Sequence, residues 1–288
     1  MVKVVKDEEL STAVVDLGSL VGKYSGSPQR SVTMRLLFLA KRSADLKQKL
    51  QAAQLAVERS KQGTDTAMYK TACGLCTELG DAETVLDTRW VESADAEWRT
   101  DRERLEEQLS TARNGPQVKE SLLRAHRALG DLAFNRGEPA VALKAFVRMR
   151  DMSVAPLQTL EISARLATAA AELGSWSHVT NQAAKIEHAI ESSGSGTEST
   201  AARCVGLRAA VALAFLDGRQ YKFAARKLIE LAPLLSAAPK PEQDGWEISN
   251  GADLATYGVL TALATLERAE LRSKCVESVA FRNALAVR

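Results

Sequence analysis

Cys73 and Cys76 stand in the stretch CGLC, the spacing used by structural zinc sites and by dithiol redox sites. A structural zinc needs four ligands, yet Cys204 and Cys275 lie far along the chain with no histidine beside them. A thioredoxin-like dithiol follows a β-strand, and none is evident ahead of Cys73. Two buried thiols in a helix are therefore expected, since free cysteine behaves as a small hydrophobe. The three histidines, His126, His178 and His188, form neither His-Glu-x-x-His nor His-x-His, so the usual metallohydrolase arrangement is missing. His178 is expected to hydrogen-bond structurally at a turn, beside Trp176. Walker, GxGxxG and GxSxG loops are absent, and Gly194 and Gly196 follow no strand. No catalytic residue, metal ligand or cofactor is assigned on these grounds, and no enzyme is expected.

The charged clusters are more informative about contact than about reaction. Arg219, Lys222, Arg226 and Lys227 follow Gly218 at helical spacing and could meet an acidic partner or nucleic acid. No exposed aromatic side chain is expected among them, so a solvated face is the default and a partner-contact face the sharper reading. Arg99, Arg102 and Arg104 sit among carboxylates at intrahelical spacing, where each exposed pair contributes only ~0.3–0.5 kcal/mol.

The elements that would position these groups follow from composition. Of 288 residues 45% are hydrophobic but only 5% aromatic, so the core must be aliphatic and rich in alanine, which favours helices. Thirty-eight basic and thirty-six acidic side chains leave a net +2, which offers no global field for nucleic acid. No stretch reaches the ~18 apolar residues of a membrane span, so no membrane association is expected. The start, MVKVVKDEEL, is too charged for a secretory signal, and four cysteines without an export signal are expected as reduced thiols. Cytoplasm and nucleus are the expected locations.

Taken in order, residues 1–30 read as an N-terminal arm and residues 31–115 as a helical region. Helices are expected from Ser31, from Leu46 to Val57, from Thr64 to Gly80, and from Asp87 to Arg113 on a narrow stripe of Trp90, Val91, Trp98, Leu105 and Leu109. Residues 116–235 then read as repeated helical hairpins. In LLRAHRALGDLAFNRGEPAVALKAFVRMRD, Leu122 to Asp151, the first helix stops at Gly137 and Pro139 opens the second. Gly130 and Ala142 are the small residues expected to let the two backbones approach. Pro156 opens a second hairpin that turns at Gly174, with Trp176 plugging the turn. A third turns at Gly218 and continues from Tyr221. Phe146 is the large core residue of the first. Polar loops at 191–200 and 236–248 interrupt the series, and residues 249–288 hold one apolar helix and a short one from Ala269 to Val276. No period-two alternation predicts a strand.

The glycine, turn and alanine of the first hairpin resemble a tetratricopeptide-type unit, and the turn glycines 137, 174 and 218 recur at an irregular spacing close to its ~34 residues. Such units stack to bury their outer faces, so a right-handed superhelical all-α array is expected. Further strings are familiar together: Tyr24-Ser-Gly26, RLLFLA at Arg35 to Ala40, LGDLAFNRGEPAVALKAFVRMRD, GSWSHV at Gly174 to Val179, and ATYGVLTALATLERAELRSKCVESVAF at Ala255 to Phe281. In this order they resemble the family of COP9 signalosome subunit 1, paralogous to a proteasome lid subunit. That resemblance implies a helical-repeat arm leading into a PCI domain, with residues 249–288 as its beginning and the winged helix expected to fall beyond Arg288. It implies a non-catalytic scaffold subunit of the complex that removes a ubiquitin-like modifier from cullins. Other signalosome subunits and cullin-based ubiquitin ligases would be its partners, with no nucleic acid and no membrane. A proteasome lid scaffold and a free-standing peptide-binding repeat module are the alternatives.

Overall fold

The structure, a computed structural model, describes residues 17–18, 29–113, 118–153, 155–181, 183–192, 198–237 and 251–286. Most of the expected arm, the Asn114 to Pro116 turn, residues 193–197 of the first polar loop and 238–248 of the second lie outside the described residues, while the ends of the first loop are helical. Fourteen α-helices and one π-helical turn are found, and no strand occurs among the described residues. The all-α expectation is correct.

The chain divides into two compact units, residues 1–107 with 135–138, and residues 108–134 with 139–288. The first holds α1 (Gln29–Arg42), α2 (Leu46–Ser60), α3 (Thr66–Glu78) and most of α4 (Thr88–Arg113). Three aspartates start three of these helices by accepting backbone N–H groups that have no intrahelical partner. Asp45 accepts from Lys47, Asp65 from Met68 and Asp87 from Trp90, at 3.1, 2.9 and 3.1 Å. Gly80, at φ +87°, follows α3. α1 packs on α2 and α2 on α3. Ala52, Ala53, Ala56 and Ala72 are completely buried there, with Leu36, Leu37 and Leu17 beside them.

The second unit holds α5 (Val118–Arg136, to Phe134), α6 (Pro139–Met152), α7 (Pro156–Leu173), α8 (Ser177–Thr180), α9 (Ala183–Ser192), α10 (Glu198–Asp217), α11 (Tyr221–Ala237), α12 (Gly251–Thr265), α13 (Arg268–Leu271) and α14 (Val279–Ala286). Prolines at the first positions of α6 and α7 begin those helices where the missing N–H is harmless. Gly174, at φ +64°, closes α7 in the left-handed conformation that glycine adopts without strain. α7 packs against α6, α8, α9 and α10; α11 packs against α10, α12 and α14. The core is aliphatic and alanine-rich: Ala142, Ala167, Ala169, Ala170, Ala210, Ala212, Ala224, Ala225 and Ala262 are inaccessible to solvent.

Several details differ from the sequence reading. Gly130, expected to let the two backbones of the α5–α6 hairpin approach, makes room for a ring of the second helix. Its missing side chain is replaced by the ring of buried Phe146, and a Cβ there would stand 2.9 Å from Phe146 Cδ1 and closer still to Cε1. The helix begun by SWSHV is broken into α8 and α9; Trp176, half-buried just before α8, packs against the core cluster that holds Val179, which is 1% exposed. At the third turn Gly218 is not left-handed; Arg219 is, at φ +56°. Tyr221 is 46% exposed and so lies outside the core. The expected helix from Ala269 is α13 running into a π-helix, Arg272–Val276, whose wide turn Glu277 N–H closes on the Arg272 carbonyl at 2.9 Å. α14 follows, with Phe281 buried against Gly258.

The Gly130 and Phe146 contact is directly testable. Gly130→Ala is expected to lower unfolding free energy by about 1–3 kcal/mol, as overpacking does. Combined with Phe146→Leu, the loss should be smaller than the two single losses added, because the smaller side chain makes room. Strict additivity in denaturant melts would contradict the packing described.

Candidate functional site

Cys73 and Cys76 lie three residues apart on α3, both buried, as expected of packing thiols. Burial pushes the Cys76 thiol above its ordinary value, against a hydrogen bond with the Thr84 side chain. Among the described residues no three or more His, Cys, Asp or Glu side chains gather closely enough to hold a metal. No described helix is long and apolar enough to cross a membrane.

The ionic groups are largely arranged to neutralise one another. In the first unit Arg30 pairs with Asp65 where Gly137, at φ +93°, leaves space; a Cβ on Gly137 would meet Arg30 Nη1 at 2.6 Å. Arg136 pairs with Asp95, donates to the Thr64 carbonyl at 2.8 Å and lies over the Trp98 ring at 5.4 Å. Arg136 holds the Asp95 carboxyl below its usual range, helped by the Thr66 hydroxyl at 2.9 Å. In the second unit Arg127, Asp131, Glu161 and Arg165 link α5 to α7. Arg165 pairs with Asp131, and Arg127 Nη1 reaches Glu161 Oε1 at 2.6 Å. Desolvation raises the Asp131 carboxyl in spite of both arginines. Two guanidinium groups matched to two carboxylates form a clasp.

His126 is the histidine set deepest in the fold. It is 5% exposed, and its Nδ1 has no hydrogen-bond partner among the described residues. Burial lowers its pKa, with Arg148 and Arg113 adding to the effect. His178, expected to hydrogen-bond at its turn, is half-buried and shows no such bond among the described residues. Nothing in the sequence distinguished the two, because burial of His126 depends on which face of α5 is covered.

The four basic residues singled out in sequence do not share one role. Lys227 is taken up internally, 2.5 Å from Glu187 on α9 and 3.7 Å from Glu230, and the Glu187 hydrogen bond raises its pKa. Arg219, Lys222 and Arg226 are exposed. Contrary to expectation, aromatic side chains do interleave them: Tyr221 and Phe223 are 46% and 57% exposed. A second uncovered surface lies on α12, where Tyr257, Leu260 and Leu263 are 39%, 60% and 61% exposed. Their spacing of three puts them on the face opposite buried Ala255 and Ala262.

An all-helical chain of packed hairpins, with internally neutralised charge and uncovered apolar helix faces, is of the helical-hairpin repeat class. The profile of the family described as 26S proteasome subunit RPN7 matches residues 87–274, and the chain belongs to that family. It is similar to COP9 signalosome complex subunit 1 of Arabidopsis thaliana, 28% identical over 96% of this chain and 59% of the relative. The proteins of that name from Emericella nidulans and Neurospora crassa are 28% and 26% identical over 94% and 95% of this chain, and over 51% and 61% of their own lengths. The chain thus spans 51–61% of the length of these relatives. These matches agree with the resemblance read from the sequence.

The buried imidazole sets a pH dependence. The folded state holds His126 neutral, so the unfolded chain takes up the extra proton once pH falls below the ordinary histidine value of about 6.5. Stability contributed by the neutral ring is therefore present above that pH and lost below it. Melting temperature is expected to drop between about pH 7.5 and pH 5.5 by more in the native protein than in His126→Leu. An equal or larger drop in His126→Leu would assign the acid sensitivity elsewhere.

Proposed function

We propose that this chain is a non-catalytic scaffold subunit of a COP9 signalosome, the complex that removes a ubiquitin-like modifier from cullin subunits of ubiquitin ligases. Its direct partners are other signalosome subunits, its indirect ones cullin-based ligases, and its locations the cytoplasm and nucleus. The observation that carries this reading is the uncovered apolar face of α12, Tyr257, Leu260 and Leu263, in a chain whose relatives are named as subunits of that complex. An apolar helix face of this kind marks a protein contact. Burying one leucine contributes ~1.5–3 kcal/mol, so the face is strong enough to matter in assembly. The matched clasp of Arg127, Asp131, Glu161 and Arg165 supports a structural use of charge. A proteasome lid subunit is the second reading, favoured by the name of the matching family.

Purification of the full-length tagged protein from its own cells separates the readings. Signalosome subunits are expected to co-purify in equal amounts, whereas lid subunits in their place would decide for the second reading. Leu260→Glu with Leu263→Glu should keep the melting temperature, since both side chains are already in water, and reduce recovery of at least one subunit by about tenfold or more. Undiminished recovery of every subunit by that variant would remove α12 from the assembly surface.

A further inference from the structure

The end of the α10–α11 hairpin brings together a left-handed arginine, two exposed rings and three exposed cations. Arg219 is the only non-glycine residue with positive φ among the described residues, at +56°; the other left-handed positions are Gly80, Gly137 and Gly174. An L-amino acid is strained there, and Gly218 immediately before it shows that the turn has a glycine within one residue. The left-handed turn closes α10, with the Arg219 N–H donating to the Leu216 carbonyl at 3.1 Å and the Gln220 N–H to the Phe215 carbonyl at 2.9 Å, but the Arg219 side chain itself makes no ion pair or hydrogen bond among the described residues. Two exposed rings stand beside it. Phe223 is held against the Phe215 ring with centroids 5.9 Å apart, so its outward face is fixed before any ligand arrives. Finally, the charge is one-sided. Between Asp217 and Glu230 there are four cations and no carboxylate, and Glu270, which feels Lys222 and Arg226, is itself paired with Lys274 at 2.6 Å.

We propose that Arg219, Tyr221, Lys222, Phe223 and Arg226 bind an acidic segment of a partner protein that carries an aromatic or aliphatic anchor. Carboxylates would meet Arg219, Lys222 and Arg226, and the anchor would lie on Tyr221 and Phe223, with guanidinium groups able to cover aromatic faces. Nucleic acid fits less well. Two rings and three cations confined to one hairpin end span too short a surface to track the backbone of a strand. This surface lies on α10 and α11, and its assignment does not depend on the signalosome reading.

Fluorescence anisotropy of the full chain with a labelled peptide of aspartates and glutamates around one phenylalanine tests the proposal. Binding is expected to fall about tenfold in Arg219→Glu/Lys222→Glu/Arg226→Glu and several-fold in Phe223→Ala. The same peptide with asparagine and glutamine in place of the acids should bind at least about tenfold more weakly. Arg219→Gly separates binding from folding: it should raise the melting temperature by about 2–4 °C, by relieving strain, while weakening the peptide. Equal binding of the uncharged peptide, unchanged binding by the charge-reversed protein, or tighter binding of a single-stranded oligothymidylate than of the peptide would each overturn it.

Discussion

Close approach of helices through alanine is the constraint on which the second unit depends. A helix axis can come within about 8 Å of its neighbour only where small side chains line the contact. Ala167, Ala169 and Ala170 on α7, Ala210 and Ala212 on α10, and Ala224 and Ala225 on α11 provide that lining. Because alanine lies on more than one face of these helices, each can hold neighbours on two or more sides. α7 touches α6, α9 and α10, and α11 touches α10, α12 and α14. A single buried methyl contributes little, on the order of 0.8 kcal/mol, so stability comes from their number and from a few large plugs such as Phe146, Leu160, Ile186 and Phe281.

That economy has a consequence for the surface. Large apolar side chains not needed inside are left outside, at Tyr221 and Phe223 on α11 and at Tyr257, Leu260 and Leu263 on α12. Charge follows a different rule. Where arginines and carboxylates are partly buried they are matched, as in Arg30 with Asp65 and Arg165 with Asp131, because an unmatched buried charge would be destabilising. The cations left unmatched at the α10–α11 turn stand out against that background.

Helix boundaries were largely legible in the sequence because their causes are local. Asp45, Asp65 and Asp87 as caps, Pro139 and Pro156 as first residues, and Gly137 and Gly174 as left-handed stops all act within one turn of themselves. What the sequence concealed depended on neighbours distant in the chain. Gly218 marks the third turn by sequence, yet the left-handed conformation falls on Arg219. Tyr221 shares the apolar face of α11 by spacing, but it lies in the first turn, where no neighbouring helix covers it. Trp176 packs on the core from a half-buried position, while Val179 three residues on is buried deeper. The π-helix at Arg272–Val276 and the burial of His126 likewise carry no local signature.

The proposed function is one of contact, so the decisive quantity is the company the native chain keeps. Native mass spectrometry of the endogenous protein, isolated under mild conditions, measures it most directly. A multi-subunit particle containing one copy of this chain is the expected result. A protein found wholly as a free single chain would contradict the idea that its exposed helix faces exist to be covered by others.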